Sequence, residues 1–313
     1  MGNDKRSNII DAEYRDIVRE IKPFVEQSTE IKATGTGYYF PSLLAASFLR
    51  SYTYIEACVD AKIEHGLIMS AGLRGICEEI IVLNYLSKLQ ECDREEIIIA
   101  TINLDVAEKL KYQQVFFKKF RPFQPTLSLP KETDMKSLRG KVQSSWRKHG
   151  WPNLNQIRPP TQQIAAKSDP EVLDVLYDFL FRLTSSSVHF DSQTLLNSGW
   201  GNPKNEWKFS SSHMGLYWLS CSSLYGALIF CLYFEYFEQH LKPTEDIEIV
   251  ISRLRKKIIS IFRWPEMVTF EEMNVPVPQP DRWPTVMIFA MYTMEFEKSI
   301  SNAIKNIANS LQD

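Results

Sequence analysis

The stretch Met-Gly-Leu-Tyr-Trp-Leu-Ser-Cys-Ser-Ser-Leu-Tyr-Gly-Ala-Leu-Ile-Phe-Cys-Leu-Tyr-Phe, residues 214–234, runs for 21 residues without a charged side chain. This length is just enough to cross a bilayer. However, serines and tyrosines are spread along the stretch, and the flanking His213 and Glu235 provide no basic anchor. The central helix of a large helical domain is also apolar on all sides. We therefore predict a buried core helix, and a transmembrane segment is the alternative.

The sequence on both sides of this stretch has the periodicity of amphipathic helices. Apolar residues recur every three to four positions, and no run alternates convincingly at period two. We predict an all-α protein, a single large helical-bundle domain of about eight helices over residues 1–313. The helices extend over about 8–33, 42–65, 67–90, 94–120, 132–149, 170–189, 211–240, 243–262 and 284–311, of which the last two form a C-terminal region, residues 244–311.

The composition is that of an ordinary soluble protein. Apolar residues make up 44% and charged residues 24%, and the net charge of −2 gives no global basic field for nucleic acid. Any contact with RNA or DNA must therefore be a local patch. Five cysteines without a Cys-x-x-Cys pair indicate reduced thiols, and the N-terminus has no apolar signal segment. These features predict a cytoplasmic protein.

Two regions carry local positive charge. Residues 121–168 form a basic, proline-containing insert whose second part, 150–167, we expect to be irregular. This insert is either a ligand-contacting segment or a solvated connector. Just before it, Phe116-Phe-Lys-Lys-Phe-Arg121 interleaves aromatic residues with cations. Such a patch can stack bases and pair with phosphates, or it is the cationic end of an amphipathic helix.

Motifs for metal and cofactor chemistry are missing from the sequence. No His-Glu-x-x-His pair, zinc-type Cys/His spacing, Gly-x-Ser-x-Gly elbow, Walker loop or Rossmann loop occurs. The glycines of Thr34-Gly-Thr-Gly37 lack a preceding strand, which favours a plain turn. We therefore predict no metal and no other cofactor.

The segment Phe179-Leu-Phe-Arg-Leu-Thr-Ser-Ser-Ser-Val-His-Phe-Asp191 contains the main candidate pair, Arg182 and His189. Seven residues correspond to about 20° less than two helical turns. If the helix continues through His189, both side chains lie on one face. A fixed cation beside a group that titrates near neutral pH suits a phosphodiester. The alternative is that His189 caps a helix end and Arg182 forms a local ion pair.

A second candidate pair, Arg74 and Glu78, lies in the apolar helix predicted over 67–90. Residues four apart share a helix face, and an exposed pair contributes only a few tenths of a kcal/mol. A buried pair needs further partners and would belong to a structural or functional polar network. Both interpretations stay open at this stage.

These two pairs resemble the pattern of the HEPN superfamily. Its signature is an arginine followed, after four to six residues, by a histidine on a core helix, as in Arg182 and His189. A second similarity is to bacterial HEPN-like families of unknown function. It rests on Arg74-x-x-x-Glu78 in an apolar helix, followed later by a serine-rich segment that ends in histidine. The resemblance covers roughly residues 42–240, and Leu183 stands where members usually have a polar residue.

The resemblance implies a HEPN-like helical core over 42–240 and a homodimer that is a metal-independent endoribonuclease. Such enzymes act in toxin–antitoxin and anti-phage defence systems, so the implied partners are RNA or a nucleotide and an antitoxin or other protein. His189 would be the general acid or base, and Arg182 would stabilise the phosphate. The implied supporting residues are Arg74, Glu78, Ser185, Ser186 and Asp191. The alternative is a non-catalytic helical module that binds a nucleotide, RNA or a protein.

Overall fold

The structure, a computed structural model, describes residues 9–30, 37–127, 134–168, 171–189, 199–201, 207–261 and 263–267. The chain divides into two compact units, Met1–Trp264 and Pro265–Asp313. Nearly all of the second unit, including the helix predicted over 284–311, lies outside the described residues. The fold below is that of the first unit, and a single domain over 1–313 stays a prediction.

Helices dominate the described ranges, which confirms the all-α prediction. In chain order they are α1 (Ala12–Ser28), α2 (Tyr39–Asp60), a 3-10 turn (Ile63–His65), α3 (Gly66–Ser87), α4 (Glu91–Phe120), α5 (Met135–Lys148), α6 (Thr161–Ser168), α7 (Leu173–Val188), α8 (Gly215–Tyr236), α9 (Glu238–Leu241) and α10 (Glu245–Ser260). Two three-residue strands, β1 (Gly199–Gly201) and β2 (Trp207–Phe209), form an antiparallel hairpin between α7 and α8.

Helix α8 contains nearly all of the uncharged stretch 214–234 and lies in the core. It packs against α2, α3 and α10. Among the described helices it alone is long and apolar enough to cross a membrane, and 78% of its apolar window is buried within the protein. The core helix of a soluble protein passes the same test of length and hydropathy. Its all-round apolar surface is therefore used for packing within this fold.

Glycines allow α8 to approach α3 and α2 closely. The Tyr54 ring lies between Gly72 of α3 and Gly226 of α8, and a methyl group at either glycine would overlap that ring. The Tyr54 hydroxyl donates a hydrogen bond to the carbonyl oxygen of Met69 at 2.9 Å. The buried Tyr54 ring therefore fits here because both helices carry a glycine at the point of contact.

Aromatic rings fill the space between α1, α2 and α8. The Phe48 ring stacks on Phe230 with centroids 5.2 Å apart and meets Phe24 and Phe234 edge-on. Edge-to-face and offset pairs are the arrangements that the aromatic quadrupole favours.

On the outside, Lys257 of α10 donates hydrogen bonds to the carboxylates of Asp11 and Glu13.

Two predictions about secondary structure were wrong. Residues 150–167 are not all irregular, because Thr161–Ser168 forms α6, whose Ile164 and Ala165 are buried. Eight residues with so few apolar positions give almost no periodic signal. The β1–β2 hairpin was also not predicted, because strands of three residues are too short to show alternation.

Glycine substitutions test the close packing. Gly66→Ala should lower the free energy of unfolding by about 1–3 kcal/mol or more, because the new methyl group would overlap the Gly215 carbonyl oxygen. Gly140→Ala is the matched control, since nothing lies within 4 Å of its added methyl group. Gly140 is inside α5, so this change should stabilise the protein by up to about 1 kcal/mol. Urea denaturation followed by circular dichroism measures both, and equal midpoints would contradict the packing account.

Candidate functional site

Helix α7 ends at Val188, so the expectation that it continues through His189 was wrong. His189 is the C-cap residue with extended backbone angles, φ −111° and ψ 164°, and its N–H donates to the Ser185 carbonyl oxygen at 2.9 Å. The preceding Thr184 and Ser187 hydroxyls donate to carbonyls of the same helix, at 2.7 Å each. Such residues, followed by a β-branched valine, are weak helix formers. Because the helix ends at Val188, helical geometry no longer places the exposed imidazole on the face of Arg182.

Arg74 and Glu78 form the predicted ion pair on α3, next to α7. The Arg74 Nε donates to Glu78 Oε1 at 2.8 Å, and the two side chains are 23% and 34% exposed. The Arg74 guanidinium also lies over the Phe181 ring of α7, 4.3 Å from its centroid. One face of the guanidinium and one edge are thus fixed by two different contacts, while solvent still reaches the group.

The Arg74 side chain reaches His189 across 115 positions of sequence. Its Nη1 atom lies 3.5 Å from His189 Nε2, the outer limit for a hydrogen bond. Arginine has only donors, so this contact requires His189 Nε2 to be the acceptor, with the ring proton on Nδ1. The structure therefore places a cation, already oriented by Glu78 and Phe181, in contact with an exposed imidazole.

The other predicted site residues are less closely connected. Arg182 is exposed on α7 and makes no hydrogen bond or ion pair within the described ranges. It follows Phe181 by one residue, about 100° around the helix, and so is not on the face that touches Arg74. Ser185 is half-buried and contributes its carbonyl oxygen to the cap of His189. The Ser186 side chain and all of Asp191 lie outside the described residues.

Two aromatic residues of α7 complete this cluster and were missed from sequence. Phe181 supports Arg74, and its centroid lies 5.4 Å from that of the buried Tyr177. Burial raises the pKa of Tyr177, and the nearby Glu78 carboxylate adds to the increase. The only sequence signal was an aromatic residue directly before Arg182, which helical core packing explains equally well.

A second Arg–Glu pair on the same helix has a different environment. Arg50 of α2 pairs with Glu79 of α3 at 2.5 Å, and Glu79 also accepts from the Ser47 hydroxyl at 2.8 Å. Burial raises the pKa of Glu79, partly offset by the Ser47 hydrogen bond and the Arg50 charge. Ser47 further contacts the buried Tyr233 hydroxyl of α8. This network joins three helices and contains no histidine, which is typical of a structural role, although its Arg50 side chain is 64% exposed.

A surface cavity of about 620 Å³ lies in the connection between α5 and α6. Its wall includes Trp151, whose ring lies under the Lys167 ammonium at 3.7 Å, together with several amide side chains. The cavity shares no lining residue with the cluster around Arg74. Within the described ranges, no group of three or more His, Cys, Asp or Glu side chains could hold a metal ion.

One comparison with known proteins gives a match. The profile of a family of unknown function, DUF5677, matches residues 48–206, about half of the chain. The match includes Arg74, Glu78, Arg182 and His189. No curated protein matches the chain. No solved structure matches it either.

A double-mutant cycle tests whether Phe181 holds Arg74. Arg74→Met and Phe181→Leu should each destabilise the protein, and together they should cost less than the sum, by about 0.5–1 kcal/mol. Either substitution alone removes the cation–π contact, so the double mutant loses this contact only once whereas the sum of the single mutants counts it twice. Guanidinium denaturation of the four proteins gives the coupling energy. A coupling energy of zero would show that the two side chains do not interact.

Proposed function

The chain belongs to the DUF5677 family, whose function is unknown, and we propose from its site that it is a metal-independent endoribonuclease. One observation carries the proposal. An exposed histidine, His189, lies 3.5 Å from an arginine that Glu78 and Phe181 already hold in place. A general acid–base group beside a pre-oriented cation is what cleavage of a phosphodiester requires.

The chemistry follows from the positions of these groups. In the proposal, the ribose 2′-hydroxyl replaces Arg74 as the hydrogen-bond partner of His189 Nε2, which takes its proton, and the 2′-oxygen attacks the adjacent phosphorus. Arg74 stabilises the charge that develops on the non-bridging oxygens, because Glu78 occupies its Nε–H and leaves terminal N–H groups for the phosphate. The 5′-oxygen leaves with a proton, giving a 2′,3′-cyclic phosphate and a 5′-hydroxyl.

Departure of the 5′-oxygen needs an acid, and one copy of the chain supplies a single His189. In the proposal two copies form a homodimer, and the second His189 gives the proton to the leaving group. Arg182, exposed two turns before the end of α7, binds a neighbouring phosphate. Ser185, Ser186 and Asp191 orient the imidazole or the phosphate, as in the sequence-based hypothesis.

The biological setting is proposed from the resemblance to HEPN proteins. That resemblance implies that the enzyme would act as a toxin or an anti-phage defence effector in the cytoplasm. An antitoxin or another partner protein would then restrain it.

A non-catalytic module that binds RNA, a nucleotide or a protein is the second candidate. It is favoured by the lack of any second acid–base side chain within hydrogen-bonding distance of His189 in the described residues. Arg74 and Arg182 would then bind phosphate without chemistry. Measuring RNA binding and RNA cleavage on the same protein separates the two candidates.

Substitutions at the site test catalysis. His189→Ala should lower the rate of RNA cleavage by about 10²–10⁴-fold, because it removes the general acid–base group. Arg74→Met should lower the rate by about 10²–10³-fold through loss of charge stabilisation. Arg182→Met should change the rate of RNA cleavage by no more than about fivefold, since the proposed ion pair between Arg182 and a phosphate is exposed to solvent. Cleavage of end-labelled RNA in EDTA, resolved on denaturing gels, gives the three rates.

Arg50→Met is the matched control, because Arg50 forms the other Arg–Glu pair, with the carboxylate next to Glu78 in sequence. It should cut RNA at the wild-type rate if it folds. If Arg182→Met loses activity and Arg74→Met keeps it, the cation of the site is Arg182. If pure wild-type protein binds RNA but never cuts it, the endoribonuclease proposal is wrong and the binding module replaces it.

A further inference from the structure

The second half of α4 carries large apolar side chains on its surface. Tyr112, Val115, Phe116 and Phe120 are 65%, 63%, 55% and 59% exposed, and Phe123 in the following loop is 97% exposed. No residue from 108 to 120 is buried. We call the surface formed by residues 109–123 the α4 tip. Large apolar side chains grouped on an exposed surface are typical of an interaction site.

The α4 tip is also strongly basic. Five cations and no acid occur between Glu108 and the end of the tip, namely Lys109, Lys111, Lys118, Lys119 and Arg121. Cations near the C-terminus of a helix are favoured by the helix dipole. The dipole does not explain the exposed aromatic rings, which gain nothing from it. The combination therefore points to an occupant that is both anionic and able to stack.

Two of the cations, Lys109 and Lys119, share one side of the helix with the aromatic rings, whereas Lys111 and Lys118 lie towards the opposite side. The Phe116 and Phe120 ring centroids are 4.9 Å apart, and Lys119 Nζ lies 5.3 Å from the Phe120 centroid. Residues seven apart differ by only about 20° around the axis. This relation places Lys109 on the face of Phe116, and Lys119 on the face of Tyr112, about two turns apart along the axis in each case. These two charges therefore lie on the aromatic side of the helix.

We propose that the α4 tip binds single-stranded RNA, with bases stacked on its aromatic rings and phosphates paired with its cations. This arrangement is how proteins hold single strands without reading their sequence. The inference deepens the proposed endoribonuclease function, because the tip would hold substrate RNA for the site at His189. RNA binding by the tip is nevertheless measurable without any cleavage.

Two other occupants fit the charges less well. A bilayer would bury the aromatic side of the helix, and Lys109 and Lys119 lie on that side. A second copy of the chain, related by a two-fold axis, would bring the same cations against each other. A nucleic acid strand alternates flat apolar bases with anionic phosphates, which matches the mixed surface.

The aromatic contribution is tested with the full chain carrying His189→Ala, so that bound RNA is not cut. Adding Phe116→Ala and Phe120→Ala should weaken binding of a fluorescein-labelled 12-nucleotide oligouridylate at least tenfold. Alanine substitution of one stacking aromatic typically costs about fivefold to 150-fold. Ile68→Ala with Ile249→Ala is the control, because both are exposed apolar residues on other helices. Fluorescence anisotropy measures each dissociation constant.

The cationic contribution is tested by salt dependence in the same assay. For single strands, each neutralised phosphate contributes about −0.7 to the slope of log affinity against log salt. Lys109→Gln with Lys119→Gln, the two exposed cations on the aromatic side, should therefore reduce the slope by about 1.4. Lys88→Gln with Lys256→Gln, exposed lysines on other surfaces, should leave it unchanged.

The outcomes separate this inference from the proposed function. Wild-type protein that binds RNA through the tip but never cuts it supports the inference and rejects the endoribonuclease. Protein that cuts RNA while the aromatic variants bind normally rejects the inference alone. Binding of anionic phosphatidylserine vesicles, without binding of RNA or the matching DNA oligonucleotide, also rejects the inference. A dimer seen by light scattering that dissociates when the aromatic residues are substituted rejects it as well. Tighter binding of the DNA oligonucleotide than of RNA would overturn the assignment to RNA.

Discussion

The close packing of α3 on α8 is the constraint on which the rest of the unit depends. Gly72 of α3 and Gly226 of α8 leave room for the Tyr54 ring between them, so three helices meet without a gap. Residues two apart on a helix differ by about 200°, so Arg74 lies almost opposite Gly72. The packing that fixes one face of α3 therefore directs Arg74 towards α7, where Phe181 and His189 are.

The neighbouring carboxylates of α3 show how one helix serves two purposes. Glu78 and Glu79 are adjacent in sequence and therefore about 100° apart around the axis. Glu79 turns towards α2, where burial raises its pKa and Ser47 and Arg50 hold it. Glu78 turns towards α7 and orients Arg74 in a place that solvent reaches. The same Arg–Glu chemistry joins α2 to α3 on one face, and lies beside an exposed histidine on the next.

The sequence predicted local features well and long-range ones poorly. The periodicity of apolar residues placed α3 at 67–90, against Gly66–Ser87 in the structure, and it identified α8 as a core helix. Spacing within a helix also identified the Arg74–Glu78 pair, which is a local contact. It could not identify the contact between Arg74 and His189, since 115 residues separate them and only tertiary packing joins them. The pairing of Arg182 with His189 on one face assumed a helix that in fact stops at Val188.

The family match ends at residue 206, whereas the helix on which α3 packs begins at Gly215. Within the matched segment, α3 would keep its contacts with α6 and α7 but would leave the Tyr54 and Gly72 face without α8. Burial of large apolar side chains supplies most of the stability of a folded domain. The site around Arg74 therefore requires α8 for its support, even though all of its side chains come from the matched segment. The folded unit that positions this site extends beyond the segment by which the family is recognised.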